Sequence, residues 1–176
     1  MTFSVPKGFQ ILPAGGALTQ VLARLHRLSF DQAWEETALA GLLALPGAFG
    51  LIACGGKAFE TPAGFVLVRV AGDEGEILTL GVDPAWRRSG VATALMQHAM
   101  HQVGGAGAVT LFLEVAVSNL AARDLYARLG FAKVGERIDY YAHPQGERET
   151  ALILRANIVS LTTDRYDGGK APEKGW

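Results

Sequence analysis

The run VTLFLEVAV at residues 109–117 holds one charged side chain, Glu114, among residues that are nearly all apolar. An apolar run that does not alternate reads as a strand buried on both faces. Such a strand has to sit inside a sheet with helices packed against it. The neighbouring sequence supplies both helices. Ahead of the strand, an apolar helical pattern runs from about residue 90 to residue 101 and stops at GGAGA. After it comes NLAARDLYARLG, with Ser118 as the expected N-cap and Gly130 as the stop.

The other segments fit around this unit. FQIL reads as a short strand, and GALTQVLARLHRLSF repeats Leu18, Val21, Leu22, Leu25 and Leu28 on one helix face. DQAWEETALAGLLAL reads as a second helix with acids early, ended by Pro46 and Gly47. AFGLIAC, GFVLVRVAG and GEILTLGV read as strands, the last ended by Asp83 and Pro84. FAKVGERIDYYA and ETALILRANI close the order as two more strands. This predicts one mixed α/β domain over residues 1–158 and a polar, flexible tail over residues 159–176.

At 176 residues the chain can bury roughly 70% of its unfolded surface, so the core needs no staples. A net charge of −1 gives no global field for nucleic acid or an anionic membrane, so any basic site must be local. Cys54 is the only cysteine, which excludes an internal disulfide and fits a small buried hydrophobe in a reducing compartment. MTFSVPKGFQ has no secretory apolar region and no run approaches a membrane span of ~18 residues, so the expected location is the cytoplasm. His98 and His101 share a helix face without further ligands, His26 and His143 stand alone, and no metal is expected.

RRSGVA joins the end of one strand to the start of a helix. The first turn of a helix has unsatisfied N–H groups and favours anions, so Arg87 and Arg88 are misplaced there unless an anion joins them. With a multiply charged phosphate they become charge-assisted donors, Gly90 allows close backbone approach, and Ala92 keeps the next turn small. The plainer reading is two solvated cations balanced by Asp83. Neither G-x-x-x-x-G-K-[ST] nor G-x-G-x-x-G is present, which argues against a P-loop ATPase and an NAD enzyme.

The pattern at residues 87–92 resembles the acetyl-CoA pyrophosphate loop of the GNAT superfamily of N-acetyltransferases, usually Q/R-x-x-G-x-G/A. LEVAVSNLAARDLYARLGF at residues 113–131 resembles that family's second signature. The pair is similar to the branch that acetylates the N-terminal alanine of a bacterial ribosomal protein, and the YYAHPQGERETALIL hairpin fits it too. The resemblance covers residues 10–158. It implies a GNAT fold: a central, mostly antiparallel mixed sheet, splayed at the acetyl-CoA site and flanked by helices.

The resemblance also implies roles. The backbone of Leu80, Gly81 and Val82 would hold the pantetheine arm, with an N–H near Val82 polarising the thioester carbonyl. Arg87, Arg88, Ser89, Gly90, Val91, Ala92 and Thr93 would hold the pyrophosphate. Glu114 would be the general base, directly or through water; its plainer reading is a salt bridge or a solvated strand end. Tyr126 would protonate the leaving thiolate, although it also lies on the core stripe of Ala122, Leu125 and Leu129. Asn119 would bond the pantetheine arm and also cap its helix.

On the acceptor side, Trp34, Glu35, Asp31 and Glu36 fall where the family builds its substrate groove, and Tyr140 and Tyr141 would line the opposite wall. An amphipathic helix with an acidic first turn and ordinary strand packing account for the same residues. The expected partner is a basic protein N-terminus from a ribosomal protein, with no direct nucleic-acid or membrane contact. Two departures bear on the acceptor: Ala116 replaces the usual arginine after LEV, and the chain before Leu28 matches poorly. Small-molecule amines and lysine therefore stay open as acceptors. A catalytically silent acyl-CoA-binding module is the alternative from another class, and a nucleotide-binding regulator a further one.

Overall fold

The computed structural model describes residues 5–58, 60–142 and 148–158; His143 and the expected tail at 159–176 lie outside them. Seven strands form one sheet: β1 (Phe9–Pro13), β2 (Ala48–Gly55), β3 (Thr61–Ala71), β4 (Glu74–Val82), β5 (Thr110–Ala116), β6 (Ala132–Ala142) and β7 (Arg148–Asn157). Their order is β1-β2-β3-β4-β5-β7-β6. Every pairing is antiparallel except β4 with β5. The parallel pair needs a crossover, and the helix between the two strands provides it.

Four helices flank the sheet: α1 (Thr19–Ser29), α2 (Glu36–Leu43), α3 (Val91–Gly105) and α4 (Leu120–Arg128). α3 and α4 share one face. Their residues Leu95, Met96, Ala99 and Leu125 join Val66, Val68, Leu111, Leu113 and Leu154 of the sheet in one core. α1 and α2 lie on the other face, where Leu22, Leu25 and Leu39 pack with Ile52, Phe65 and Leu67. Burying a Leu, Val or Phe side chain contributes roughly 1.5–3 kcal/mol each, so these two clusters hold the layers together.

Four local expectations need correction. The second helix begins at Glu36, so Asp31, Trp34 and Glu35 lie in the loop before it. Glu35 is the extended N-cap residue (φ −74°, ψ 163°), and only Glu36 is an acid of the first turn. β5 is buried on one face rather than two: Leu111, Leu113 and Val115 are buried, while Thr110, Phe112, Glu114 and Ala116 are half-buried. The reason is coverage, since α1 packs on β3 and β4 and α2 on β2, short of β5. The cap of α4 is Asn119, whose Oδ1 accepts the Ala122 N–H at 3.1 Å, and Ser118 instead donates its N–H to Glu149 Oε1 at 2.6 Å. Finally, α3 continues past His101 to Gly105.

Candidate active site

The ladder between β4 and β5 is short. It runs from Glu74 opposite Thr110 to Ile77 opposite Leu113 and then stops. Beyond it, β4 stays paired with β3 as far as Val82, and β5 stays paired with β7 as far as Ala116. The sheet therefore opens into a V at their C-terminal ends. A β-bulge marks the same point: Leu67 pairs with Thr79 and Val68 with Ile77, which leaves Leu78 as an extra residue. Bulges raise the local twist and bend their strand. This one also changes which side chains face each way. Ile77 before it and Leu80 and Val82 after it pack toward α3 and α4, whereas Leu78 packs toward α1.

Gly81 then faces α1, where a Cβ would lie 2.7 Å from the Phe65 ring and 2.9 Å from Ser29 Oγ. The absence of a side chain lets α1 lie directly on the strand. Leu80, Gly81 and Val82 thus border the opening with a backbone edge that, among the described residues, no strand pairs on the β5 side.

At the mouth of the V, Asp83 caps the short turn Pro84–Trp86 by accepting the Ala85 N–H at 2.9 Å. Arg87 folds back, its Nε donating to the Val82 carbonyl at 3.3 Å. The backbone then alternates in sign, with φ −63° at Arg87, +64° at Arg88 and +87° at Gly90. Gly90 is the N-cap of α3, and its left-handed φ is the conformation only glycine adopts without strain. The N–H groups of Val91, Ala92 and Thr93 have no acceptor within their helix. Ser89 Oγ donates to the Trp86 carbonyl at 2.5 Å and stiffens the turn. Arg88 is exposed.

Glu114 and Tyr126 lie on the two faces that the V connects. Leu113 and Val115 point into the α3–α4 core, so Glu114 between them points to the other face. Tyr126 is buried in that α3–α4 core, with its ring 5.7 Å from Phe131. Glu114 is paired, as an acid in an apolar strand must be when it is not fully solvated: its Oε1 lies 3.1 Å from Arg137 Nη1. Arg137 in turn stands over the Tyr140 ring at 4.9 Å, and Tyr140 meets Tyr141 edge-on at 5.1 Å.

Tyr141 ties the two faces together electrostatically. Burial, then the Glu114 charge beside it, then Tyr140 and Glu149, raise the Tyr141 hydroxyl above its ordinary pKa. Burial and the neighbouring Tyr141 push Tyr126 far above the usual phenol range, so it carries its proton at any physiological pH. Of the residues singled out from sequence, the structure brings Glu114, Tyr126, Tyr140 and Tyr141 into one array. Asn119 spends its Oδ1 on the helix cap.

Trp34 and Glu35 lie apart, in the loop between α1 and α2, where His26 is the organising residue. His26 is therefore not isolated. Its ring is buried between Phe30 at 4.3 Å and Trp34 at 4.9 Å, and its Nδ1 accepts the Trp34 N–H at 3.2 Å. Arg27 holds Glu35 at 3.7 Å on the same loop. The loop's path is set by this cluster, which explains why the helix starts late.

Burial lowers the His26 pKa from 6.5 to about 4. The neutral ring is thus favoured in the fold, and its contribution to stability is complete above about pH 6.5. As pH falls from there to about 4 it is lost, by about 3 kcal/mol in all. Denaturant titrations at several pH values should show that His26→Phe loses this slope relative to wild type. Parallel curves for the two proteins would rule the assignment out.

Among the described residues no group of three or more His, Cys, Asp and Glu could hold a metal ion. Among the same residues no helix is long and apolar enough to cross a membrane.

Residues 19–131 match the Acetyltransferase (GNAT) family. The chain belongs to that family. A ribosomal protein bS18-alanine N-acetyltransferase from Escherichia coli K12 is 39% identical over 96 residues, which is 54% of this chain and 64% of that protein. The chain thus matches somewhat less than two thirds of that relative's length. The N-alpha-acetyltransferase RimI of Mycobacterium tuberculosis is 35% identical over 133 residues, covering 72% of this chain and 82% of the relative.

In three dimensions the crystal structure of the Escherichia coli ribosomal-protein-S18-alanine N-acetyltransferase superposes with a TM-score of 0.78 at 27% identity, over 85% of this chain and 94% of that one. Arabidopsis thaliana NAA60 in complex with acetyl-CoA shares the fold, with a TM-score of 0.75 at 20% identity over 86% of this chain and 99% of that one. The mixed, mostly antiparallel sheet expected of a GNAT protein is the sheet observed here. Sequence reasoning missed Arg137 and His26. For Arg137 the sequence holds no signal, because the contact to Glu114 forms across β7. For His26 the signal was faint: an imidazole on the apolar face of a helix, followed closely by Phe30 and Trp34.

Proposed function

We propose that this protein transfers the acetyl group of acetyl-CoA to the N-terminal α-amine of a protein, with a ribosomal protein bearing N-terminal alanine as the favoured acceptor. The observation that carries this reading is the open β4–β5 edge, with the N-terminus of α3 at its mouth and Glu114 and Tyr126 on its two sides. The names of its relatives favour that acceptor. Such an acceptor would place the reaction in the cytoplasm.

Acetyl-CoA supplies an activated acyl group on a thiol leaving group. The Leu80-Gly81-Val82 backbone fits its extended arm, since an unpaired strand edge offers donors and acceptors at strand spacing. The residues from Arg87 to Thr93 fit its pyrophosphate, through N–H groups at the helix start and the Arg88 guanidinium. An N–H near Val82 polarises the reacting carbonyl. Glu114 takes the proton released as the acceptor nitrogen bonds to the acyl carbon, directly or through one water. Tyr126 donates its proton to the sulfur as the carbon–sulfur bond breaks.

The magnitudes constrain this last step. A thiol has a pKa near ~8.5 and a phenol near ~10, and Tyr126 lies above the latter, so complete transfer is uphill. Tyr126 therefore acts by hydrogen bonding to the sulfur as negative charge develops, with the proton moving late. The acceptor preference also follows from pKa values. At neutral pH about one α-amine in ten is already neutral, against roughly one lysine in a few thousand, so a single carboxylate serves the α-amine better.

Arg88→Ala should weaken acetyl-CoA binding about tenfold, the scale of a lost hydrogen bond to a charged group. Titration calorimetry measures it, with turnover at saturating acetyl-CoA retained. An unaltered dissociation constant would remove Arg88 from the phosphate site.

A further inference from the structure

Glu114 already holds a cation, and that cation belongs to the chain itself. Arg137 sits on the edge strand β6, opposite Ala151 of β7, which in turn pairs with Ala116 of β5. This row carries only alanine beyond Arg137, so a long side chain can cross from the sheet edge to Glu114, two positions along and on the same face. The register of β6 breaks just after Arg137 and resumes at Tyr141, with Asp139 at φ 55°. The irregularity lets Tyr140 turn its ring beneath the guanidinium, 4.9 Å away. A carboxylate on one side and an aromatic face on another are the two elements that recognise an organic cation.

We infer that Glu114 and Tyr140 form the subsite for the acceptor's positively charged N-terminus, and that Arg137 occupies it in the free enzyme and is displaced when the acceptor binds. The inference rests on the proposed acetylation of an α-amine. Arg137 is about half exposed, with its stem at an edge strand, so it has solvent to move into. Two cations sharing one half-buried carboxylate oppose each other. The exchange therefore brings the acceptor nitrogen to Glu114 in place of the guanidinium. It selects acceptors that arrive as cations and can compete with an arginine, which favours an N-terminal ammonium over a neutral amide or alcohol; one ammonium proton then passes to solvent before attack, and Glu114 takes the second as the nitrogen bonds to the acyl carbon.

The test is steady-state kinetics with acetyl-CoA and a peptide that has a free N-terminal alanine and no lysine. Arg137→Gln removes the competitor, so the KM for the peptide should fall several-fold while the KM for acetyl-CoA stays put. Arg137→Lys should return the peptide KM toward the wild-type value. Tyr140→Leu should raise it. A purely structural ion pair predicts the reverse for Arg137→Gln, with peptide KM unchanged or higher, and either result would overturn the exchange.

Glu114→Gln separates this inference from the reading beneath it. If Glu114→Gln loses turnover while Arg137→Gln leaves peptide KM where it was, the exchange fails and the base survives. If Glu114→Gln turns over normally but Arg137→Gln lowers peptide KM, the cation subsite stands and the base assignment fails. Arg137 is exposed, so thermal melts of its variants should match wild type, and kinetics from a variant that melts much earlier would be replaced by those of Arg137→Lys.

Discussion

Replacing Glu114 by glutamine lowers the acetylation rate by about 10²- to 10⁴-fold, the usual contribution of a positioned general base. Glutamine keeps the shape and can still accept from Arg137 Nη1, so the hairpin stays in place. Affinity for acetyl-CoA stays near wild type, because the Arg87–Thr93 loop lies at the other end of the opening. Rapid-quench turnover beside calorimetric binding distinguishes the two quantities. The loss should persist as pH rises past the α-amine pKa of roughly 8, because the proton Glu114 takes is released only as the nitrogen bonds to the acyl carbon. Full turnover in the variant would remove Glu114 from the role of general base.

Tyr126→Phe should cost about 10²-fold in turnover, the lower end for proton donation at a transition state. The ring is buried against Phe131, and phenylalanine fills the same volume, so no cavity opens and stability changes little. A second arm isolates the role. An acetyl thioester of a more acidic thiol needs less help at sulfur, and it should restore much of the lost rate. Equal loss with both thioesters would place Tyr126 in the core alone.

The parts of the fold that follow from periodicity were legible in the sequence. The strand and helix patterns on either side of RRSGVA, and the order of the remaining segments, reappear in the sheet and its flanking helices. What escaped was contact made across the sheet. The bulge at Leu78 leaves no mark in GEILTLGV, whose apolar residues look like an unbroken strand. Yet the bulge stands where the ladder to β5 ends and the opening begins. Continuous apolarity in VTLFLEVAV suggested two buried faces, but helix coverage stops short of β5 on one of them.

Caps behaved similarly. Ser118 and Asn119 are both good cap residues; Asn119 caps the helix, and Ser118 gives its backbone N–H to Glu149, thirty-one residues away. The acidic pattern at 31–36 suggested a helix start, and the buried ring of His26 overrode it by fixing the backbone of Trp34. Glu114 was readable as an acid that needed a partner. That the partner is Arg137, reached across β7, was not.

The most direct test of the account is mass spectrometry after incubation with acetyl-CoA and two peptides. One peptide has a free N-terminal alanine followed by arginine and no lysine. The other has a blocked N-terminus and an internal lysine. A single added acetyl group is expected on the first peptide's α-amine and none on the second. Acetylation of the lysine alone would contradict it.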